Sequence, residues 1–535
     1  MGLLPKTAVA PAVQVAVAAE QQSEAAGVGG RTQLGRNLAW LGAAQLFTWS
    51  MTLAWTLVVP RIIGPTRFGL IVAAMAVAGV LQILIGMGTT PYVVREIVVQ
   101  RTRLPELVAT AVAVRLLLAP LFVGAVLLWA HFAHYGSRGT LVLYLIAGAT
   151  LLMMLTEPIQ GAFQAIERMQ YLALGDAIDK SAQGLLGILL ALIGFGVVGF
   201  AGCWLVMSAI VMVLSIRWLS RFERLEIKTS SREVVAMARG SAAYWTGGLF
   251  FTLYLWADTV MLSLMTNAKV VGWYGVATKL FQAMLFVAVL TAQAWLPRLV
   301  SAAERSPQEL RREALVPIEL VLSLAVPIAA LLAIAAEIGV RLVYGSAYNK
   351  AVPCLIILGC CLVPMYLNMI LCQVCIAAKR MRVWTWIMGG ATIFNIVVNL
   401  ILIQVAQNRW GNGAIGASVS LLLTELVIAA AALRVVGLGV FSRSSALRLL
   451  RIGVASGGAI GVALACDGLG AAAGLGAGVV ALLLFATVLR VVSHEELVFV
   501  LERLRAAGSG LPARFRRRVA LLRASASSAD SSQPS

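Results

Sequence analysis

The sequence predicts an all-α, polytopic membrane protein, and three features of the chain predict it. Of its 535 residues, 60% are hydrophobic and only 12% are charged, whereas soluble domains have roughly half and about a quarter. The mean hydropathy is +0.91 because the apolar residues occur in continuous runs. These runs exceed the roughly 20 residues that cross a bilayer as a helix, and they lack the alternation of β-barrel strands.

Counting the apolar runs gives fourteen predicted membrane helices. If both termini are cytoplasmic, most of the 42 Lys and Arg residues fall in cytoplasmic loops, as the positive-inside rule requires. One helix more or fewer would invert every later loop and destroy this asymmetry. The predicted segments are residues 37–60, 68–91, 106–133, 140–161, 172–194, 196–218, 241–265, 270–296, 316–340, 350–377, 382–406, 413–435, 448–466 and 470–492.

The predicted helices divide into two six-helix bundles and a final pair. The bundles span 37–218 and 241–435, the cytoplasmic linker 219–240 joins them, and helices 13 and 14 occupy 436–493. Phe68-Gly69 and Tyr274-Gly275 follow the first helix of the respective bundle at nearly the same spacing. Because each bundle has an even number of helices, the repeats are parallel, which places a substrate cavity between them near the midplane.

Both ends of the chain are predicted to be cytoplasmic tails. Residues 1–36 are predicted to be disordered; Thr7 to Ala19 is similar to a signal-peptide core, but Pro11 interrupts it. The basic tail 494–535 contains a stretch from 498 to 523 that alternates apolar residues with arginines. We expect this stretch to lie on the anionic inner leaflet as an interfacial helix, with a solvated tail as the alternative.

Composition also excludes several function classes. The net charge of +19 would suit a nucleic-acid partner, but in a membrane protein the basic residues fix orientation. The seven cysteines lie in or beside apolar runs, and the lone Cys372/Cys375 pair has no second ligand pair, so we expect no disulfides, no metal and no cofactor. With three histidines, no Walker A pattern and no large external loop, the chain is predicted to be a transporter and not an enzyme.

Short motifs follow one another in a fixed order over residues 37–435. They are Ile63-Gly64-Pro65 with Phe68-Gly69, Gly88, Arg95-Glu96, Ala257-Asp258-Thr259, Val271-Gly272-Trp273-Tyr274-Gly275, Tyr344-Gly345-Ser346-Ala347-Tyr348, Ala377-Ala378-Lys379-Arg380, Phe394-Asn395-Ile396-Val397-Val398-Asn399-Leu400 and Gly413-Ala414-Ile415-Gly416-Ala417. In this order they resemble the polysaccharide-transporter branch (Wzx-type O-antigen and exopolysaccharide flippases) of the multidrug/oligosaccharidyl-lipid/polysaccharide (MOP) flippase superfamily.

The resemblance implies a function as well as a fold. It implies a central cavity that opens alternately to each side, and movement of a polyprenyl-pyrophosphate-linked oligosaccharide from the cytoplasmic to the outer leaflet of a bacterial inner membrane. A polysaccharide polymerase and chain-length proteins are then possible partners. A cation-coupled multidrug exporter and a lipid II flippase of wall synthesis remain as alternatives, since both belong to the same superfamily.

A pyrophosphate cargo would need cations along its path. Arg115, Lys180 and Lys279 fall inside predicted helices, where a charge costs ~2.5–3.5 kcal/mol on insertion scales and so indicates a function. We assign Arg115, Lys279, Lys180 and Arg61 as candidate head-group contacts, because cationic donors suit phosphate oxygens. The alternative is structural pairing, with Asp176 four residues before Lys180.

Carboxylates in predicted helices are candidates for ion coupling. Asp258 matches a position that is typically acidic in families that this chain resembles, and Glu425 and Glu157 are further candidates. Each could instead form an ion pair with Arg115 or Lys279, and Asp258 could accept a structural hydrogen bond from a neighbour such as Tyr254.

Two amides complete the candidate residues. Asn395 and Asn399 are four residues apart, so they lie on one face of helix 11. They would either contact sugar hydroxyls or hydrogen-bond helix 11 to helix 12.

Overall fold

The computed structural model describes residues 28–133, 135–223, 229–437, 443–466, 468 and 470–488. These residues form helices joined by short turns, and no strand occurs among them. The all-α fold class is therefore confirmed. The predicted C-terminal tail, including its interfacial helix, lies outside the described residues.

The described residues of the first half form eight α-helices. They are α1 (Val28–Leu81), α2 (Ile83–Gly86), α3 (Thr89–Val99), α4 (Leu104–Phe132), α5 (Ser137–Ala165), α6 (Met169–Ser181), α7 (Gly187–Leu192) and α8 (Gly196–Leu219). A π-helical turn, Ala182–Leu186, links α6 to α7. α1 joins two of the predicted segments, and Gly64 (φ 78°, ψ 166°) breaks its helical geometry between Pro60 and Pro65.

The second half and the final pair form nine helices among the described residues. They are α9 (Ser231–Met265), α10 (Ala268–Met284), α11 (Phe286–Arg305), α12 (Pro307–Tyr344), α13 (Val352–Ala377), α14 (Met381–Trp410), α15 (Gly413–Val436), α16 (Arg443–Cys466) and α17 (Ala471–Val488). Local sequence fixes several starts: Ser230 and Glu233 form a capping box at α9, and Asn267 accepts from two backbone N–H groups at α10.

Eleven helices within the described ranges are long and apolar enough to cross a membrane. The difference from fourteen has local causes. α1 counts once although Gly64 divides it, the π-helical turn interrupts α6 and α7, and the described apolar part of α17 is short. Each of the fourteen predicted segments overlaps at least one of the helices α1 to α17. Fourteen membrane crossings nevertheless remain a prediction.

Two predicted boundaries differ from the structure. The first described helix begins at Val28, so residues 28–36 of the tail predicted to be disordered are helical. Gln33 and Leu34 favour helix, and the helix extends beyond its membrane part. Residues 1–27 lie outside the described residues. The linker predicted for 219–240 ends at the N-cap Ser230, because α9 begins at Ser231, ten residues before the predicted apolar segment 241–265.

The largest hydrophobic core runs through both halves of the chain, a second core lies within the first half, and the final pair forms small clusters of its own. α16 and α17 contact each other and α12. Ile334 of α12 approaches Gly478 of α17 closely, while leucines on the outer face of α4, such as Leu117 and Leu128, are exposed. Exposed leucines on apolar helices are expected where lipid covers the surface.

Candidate functional site

The two halves meet tightly at the end of the molecule that is predicted to face outwards. An added Cβ at Gly69 would overlap the carbonyl oxygen of Ala268, and one at Gly272 would overlap that of Pro65. Only glycine allows backbones of two helices to approach so closely. Tyr348 also donates to the carbonyl oxygen of Pro60 at 2.9 Å. We call this contact the outer seam.

Arg61 lies at the outer seam and not in a cavity. Its Nη1 donates to the carbonyl oxygen of Leu342 at 2.6 Å, which joins the first half to the end of α12. The side chain is exposed. In this conformation Arg61 therefore holds the halves together where the first-half chain turns.

Arg115 is sealed inside the first half. It is 1% exposed, and its Nη2 donates to Glu157 at 2.9 Å and to Thr90 at 2.7 Å. Its Nε donates to Thr89 at 3.0 Å, and its Nη1 donates to the carbonyl oxygen of Met154. In this conformation Arg115 is therefore not free to contact a head group, and the alternative ion pair with Glu157 is what forms.

Lys180 and Lys279 belong to opposite halves and lie near enough for their charges to interact. Each lies eleven residues from the start of its helix, Met169 for α6 and Ala268 for α10, which is about 16 Å at 1.5 Å per residue. Their positive charges repel across the gap between the halves. Lys279 is half-buried. Among the described residues it has no hydrogen-bond or ion-pair partner.

The partner of Lys180 differs from the one predicted. Its Nζ lies 3.4 Å from Asp179 and 3.4 Å from Gln183 in the π-helical turn, whereas no ion pair joins it to Asp176 in the described part of the chain. Asp176 acts on it only at longer range. A π-helical turn inside a helix is common at functional sites, and here it brings Gln183 onto Asp179.

Asp258 sits in a closed network of neutral donors in the second half. It is 6% exposed and accepts from Asn399 at 2.6 Å, Asn395 at 3.0 Å and Tyr274 at 3.1 Å. Asn395 also contacts Thr424 of α15 at 3.2 Å. The two amides thus join helices α9, α14 and α15, which is the helix-joining role, and the partner hydroxyl is that of Tyr274 and not Tyr254.

Glu425 forms a second carboxylate centre nearby. It is 1% exposed, and its oxygens accept from Asn368 at 2.7 Å and from the hydroxyl of Tyr254. No Lys or Arg lies within ion-pair distance of Asp258 or Glu425 in the described ranges. Burial of a carboxylate without a cationic partner is costly, so each centre is a candidate for binding a proton or a small cation.

Two amide oxygens beside these carboxylates lack partners. The Oδ1 atoms of Asn399 and Asn368 are buried and unbonded. Oxygen atoms of this kind are ligands for hard cations. The second half can therefore accommodate a proton or a small cation near Asp258, although no cluster of three or more His, Cys, Asp or Glu side chains occurs in the described part of the chain.

Sequence reasoning missed several of the polar partners. Tyr274, Asn368 and Thr424 complete the carboxylate networks, and Thr89 and Thr90 complete the Arg115 cluster. The clearest available signal was Asn368, a polar amide in the middle of an apolar run. The hydroxyls carried no signal, because Ser and Thr are common in packed membrane helices.

Two helical halves that meet at a glycine seam and carry buried charges near mid-depth define a membrane transporter. The family model described as "Polysaccharide biosynthesis protein" matches residues 34–303, and the chain belongs to that family, within the MOP superfamily. The MatE family model matches residues 246–401. No curated protein sequence matches the chain significantly.

Solved structures support the same fold. A structure described as "Lipid II flippase MurJ, inward closed conformation" has a TM-score of 0.67 at 12% identity and covers 84% of this chain and 98% of its own. An inward-facing multidrug resistance MATE family transporter of the MOP superfamily has a TM-score of 0.56 at 15% identity, covering 75% and 94%. The superfamily resemblance found in the sequence is confirmed.

Proposed function

We propose that this protein is a flippase that moves polyprenyl-pyrophosphate-linked oligosaccharide units from the cytoplasmic to the outer leaflet of a bacterial inner membrane, for surface polysaccharide biosynthesis. The observation that carries the proposal is the pair Lys180 and Lys279, which come from opposite halves and lie within range of each other's charge. Membership of the polysaccharide biosynthesis family supports the glycan cargo. The polymerase and chain-length proteins of such a pathway would be its partners.

In this proposal the two lysines hold the pyrophosphate. Lys279 has no counter-ion in the described ranges and Lys180 is only partly neutralised by Asp179, so an anion placed between them relieves their repulsion. Arg61 and Arg115 act differently. Arg61 would contact cargo only once the outer seam opens, and Arg115 supports the first half through Glu157.

Asp258 is the proposed coupling residue, with Glu425 second and Glu157 third. Asp258 and Glu425 lack cationic partners in the described ranges, whereas Glu157 is already paired with Arg115. Export of a pyrophosphate lipid also runs with an inside-negative potential, at ~2.3 kcal/mol per charge per 100 mV. Coupling through Asp258 would add an ion gradient to this driving force.

Vesicles that contain the purified protein test the proposal directly. Lys279→Ala should reduce flipping of a polyprenyl-pyrophosphate glycan about tenfold or more, the loss expected for one charge-assisted contact. Lys269→Ala is the matched control, because Lys269 lies on the same helix but is exposed and packs over Trp273 at 5.6 Å. Equal flipping by both variants would contradict the head-group role.

Driving forces are separated in the same vesicles. Wild-type flipping that follows an imposed potential without an ion gradient supports a potential-driven flippase, and Asp258→Asn should then change little. Flipping that ignores the potential and follows only a proton or sodium gradient supports coupling, and Asp258→Asn should then abolish the dependence. An orphaned donor at Asn399 is the structural side effect to control, by measuring thermal stability.

The cation-coupled drug exporter is a second candidate, because the MatE family model matches the helices that carry Asp258. Lipid II is the alternative lipid cargo. Competition assays distinguish the three: excess lipid II or a cationic drug should not slow flipping of the glycan lipid if the proposal holds. Transport of a cationic drug by the wild type, with no flipping of either lipid, would select the exporter.

A further inference from the structure

The two halves contain equivalent turns at the end predicted to face the cytoplasm. Ala165-Ile166-Glu167-Arg168-Met169 follows α5, and Ala377-Ala378-Lys379-Arg380-Met381 follows α13. Glu167 and Lys379 adopt left-handed backbones, with φ 59° and 57°. The N–H groups of Arg168 and Arg380 each close the preceding helix at 2.8 Å, on Phe163 and Cys375. The repeat therefore allows one corner to be compared with the other.

The first-half corner is filled by aromatic rings. Phe163, Tyr171, Trp218 and Phe222 pack together with ring centroids 5.3 to 5.5 Å apart. The guanidinium of Arg168 covers the Phe222 ring at 5.2 Å. Aromatic side chains therefore occupy this corner.

The second-half corner has small residues at the same positions. Aligning the two turns matches Phe163 with Cys375 and Tyr171 with Val383. A second alignment starts from two glycine motifs, Gly199-Phe200-Ala201-Gly202 and Gly413-Ala414-Ile415-Gly416. It matches Trp218 with Ala432 and Phe222 with Val436. A cavity of about 260 Å³ lies at this corner, and Cys375 and Val436 line it. Small side chains and a cavity in the second half thus replace the aromatic cluster of the first half.

The cavity combines an apolar interior with a basic rim. Its walls include Val300, Ala303, Leu310 and Val374, and its charged lining residues are Arg311, Lys379, Arg380 and Glu304. Arg380 donates to the carbonyl oxygen of Val435 at 3.2 Å, whereas Arg311 and Lys379 have no hydrogen-bond or ion-pair partner in the described ranges. All four charged side chains are exposed.

We propose that this corner cavity binds an anionic phospholipid of the inner leaflet. Arg311 and Lys379 would contact the phosphate, and an acyl segment would cover the apolar walls. Basic pockets between helices at the cytoplasmic membrane surface suit anionic head groups, and three cations outnumber the single carboxylate Glu304. The proposal rests on the predicted cytoplasmic orientation, and it does not require the proposed glycan cargo.

Lys379 holds its charge at the rim from a left-handed backbone position. A left-handed residue after a helix is usually glycine, because other side chains are strained there. Lysine at this position keeps a cation at the cavity mouth despite that strain. Replacing it by glycine therefore removes the charge without threatening the turn.

The test uses the purified full-length protein and phosphatidylglycerol. In native mass spectrometry and thermal-shift titrations, the variant Arg311→Gln/Lys379→Gly should bind phosphatidylglycerol about thirtyfold more weakly, at roughly fivefold per charge near the membrane surface. Glu167→Gly makes the same backbone change at the other corner and should bind as the wild type does. Val436→Phe, which places the first-half ring in the cavity, should also weaken binding while all charges remain.

Several results would overturn the proposal. One is an unchanged affinity for phosphatidylglycerol in both Arg311→Gln/Lys379→Gly and Val436→Phe. Another is a loss of affinity in Glu167→Gly as large as that in Arg311→Gln/Lys379→Gly. A third is a thermal shift with phosphatidylcholine or inorganic phosphate as large as that with phosphatidylglycerol. A shift with polyprenyl phosphate but not with phosphatidylglycerol would assign the cavity to the cargo path instead. Because these readouts need no transport, they are independent of the proposed flippase activity.

Discussion

The buried ion pair of Arg115 and Glu157 makes a quantitative prediction about stability. Arg115 is 1% exposed and Glu157 is 42% exposed, at 2.9 Å. We expect Arg115→Met to destabilise the protein, because it removes the donors that satisfy Glu157, Thr90 and the carbonyl oxygen of Met154. Glu157→Gln should destabilise it less, because the amide keeps the shape and one acceptor.

The magnitudes follow from burial. Breaking a fully buried ion pair costs about 3–5 kcal/mol. The Glu157 side chain is 42% exposed, so screening weakens the pair and Glu157→Gln should cost about 1–2 kcal/mol. Arg115→Met should cost about 2–4 kcal/mol, since it leaves two or more polar groups short of a partner at about 1–3 kcal/mol each. Because the two share one contact, the double variant should cost about 1–2 kcal/mol less than the sum.

Equilibrium unfolding of the detergent-solubilised protein in SDS measures all four corners of this double-mutant cycle. Flipping by the same variants is measured in vesicles, corrected for the folded fraction. If Arg115→Met leaves stability within about 0.5 kcal/mol of the wild type, the range of an ordinary surface substitution, yet abolishes flipping, the structural role is refuted. Arg115 would then be a head-group contact in another conformation.

Three further predictions concern topology, the outer seam and Glu425. Reporter fusions at Gly136 and Lys228 should report opposite sides of the membrane, and a shared side would refute the fourteen-helix arrangement. Gly69→Ala should hold the outer seam apart, because its Cβ would overlap Ala268, and it should raise labelling of cysteines placed in the seam; Gly86→Ala, which has open space, should not. Glu425→Gln should keep stability within about 1 kcal/mol if the carboxyl is protonated, since one oxygen still accepts from its neighbours; a larger loss would indicate a charged, ion-holding group.

The positions of the helices were predictable because a membrane helix is encoded locally. Each apolar run is long enough to satisfy its own backbone hydrogen bonds, so its ends can be read from charge and from caps such as Ser230. Whether neighbouring helical segments join into one helix was less predictable. No sequence rule separates two helices that meet at Gly64 from one kinked helix, and the π-helical turn after Ser181 depends on tertiary contacts.

The roles of buried charges were not predictable to the same degree. The depth of Arg115 and Lys279 could be calculated from position along the helix, but the direction of each side chain depends on how the helices rotate against one another. Arg115 turns towards Glu157, which is 42 positions away in the sequence, whereas Lys279 has no ion-pair partner among the described residues. Asn395 and Asn399 were predictable as a pair because helical spacing places them on one face.

The network around Asp258 has a consequence for the order in which the chain is made. Asp258 is synthesised 137 residues before Asn395, which at about 5–20 residues per second is an interval of roughly seven to twenty-seven seconds. Tyr274, only 16 positions later, is the one early partner among its donors. The Asp258 carboxyl group therefore gains its full set of donors only after α14 has been synthesised. A chain that stops before residue 395 leaves Asp258 without two of its three donors.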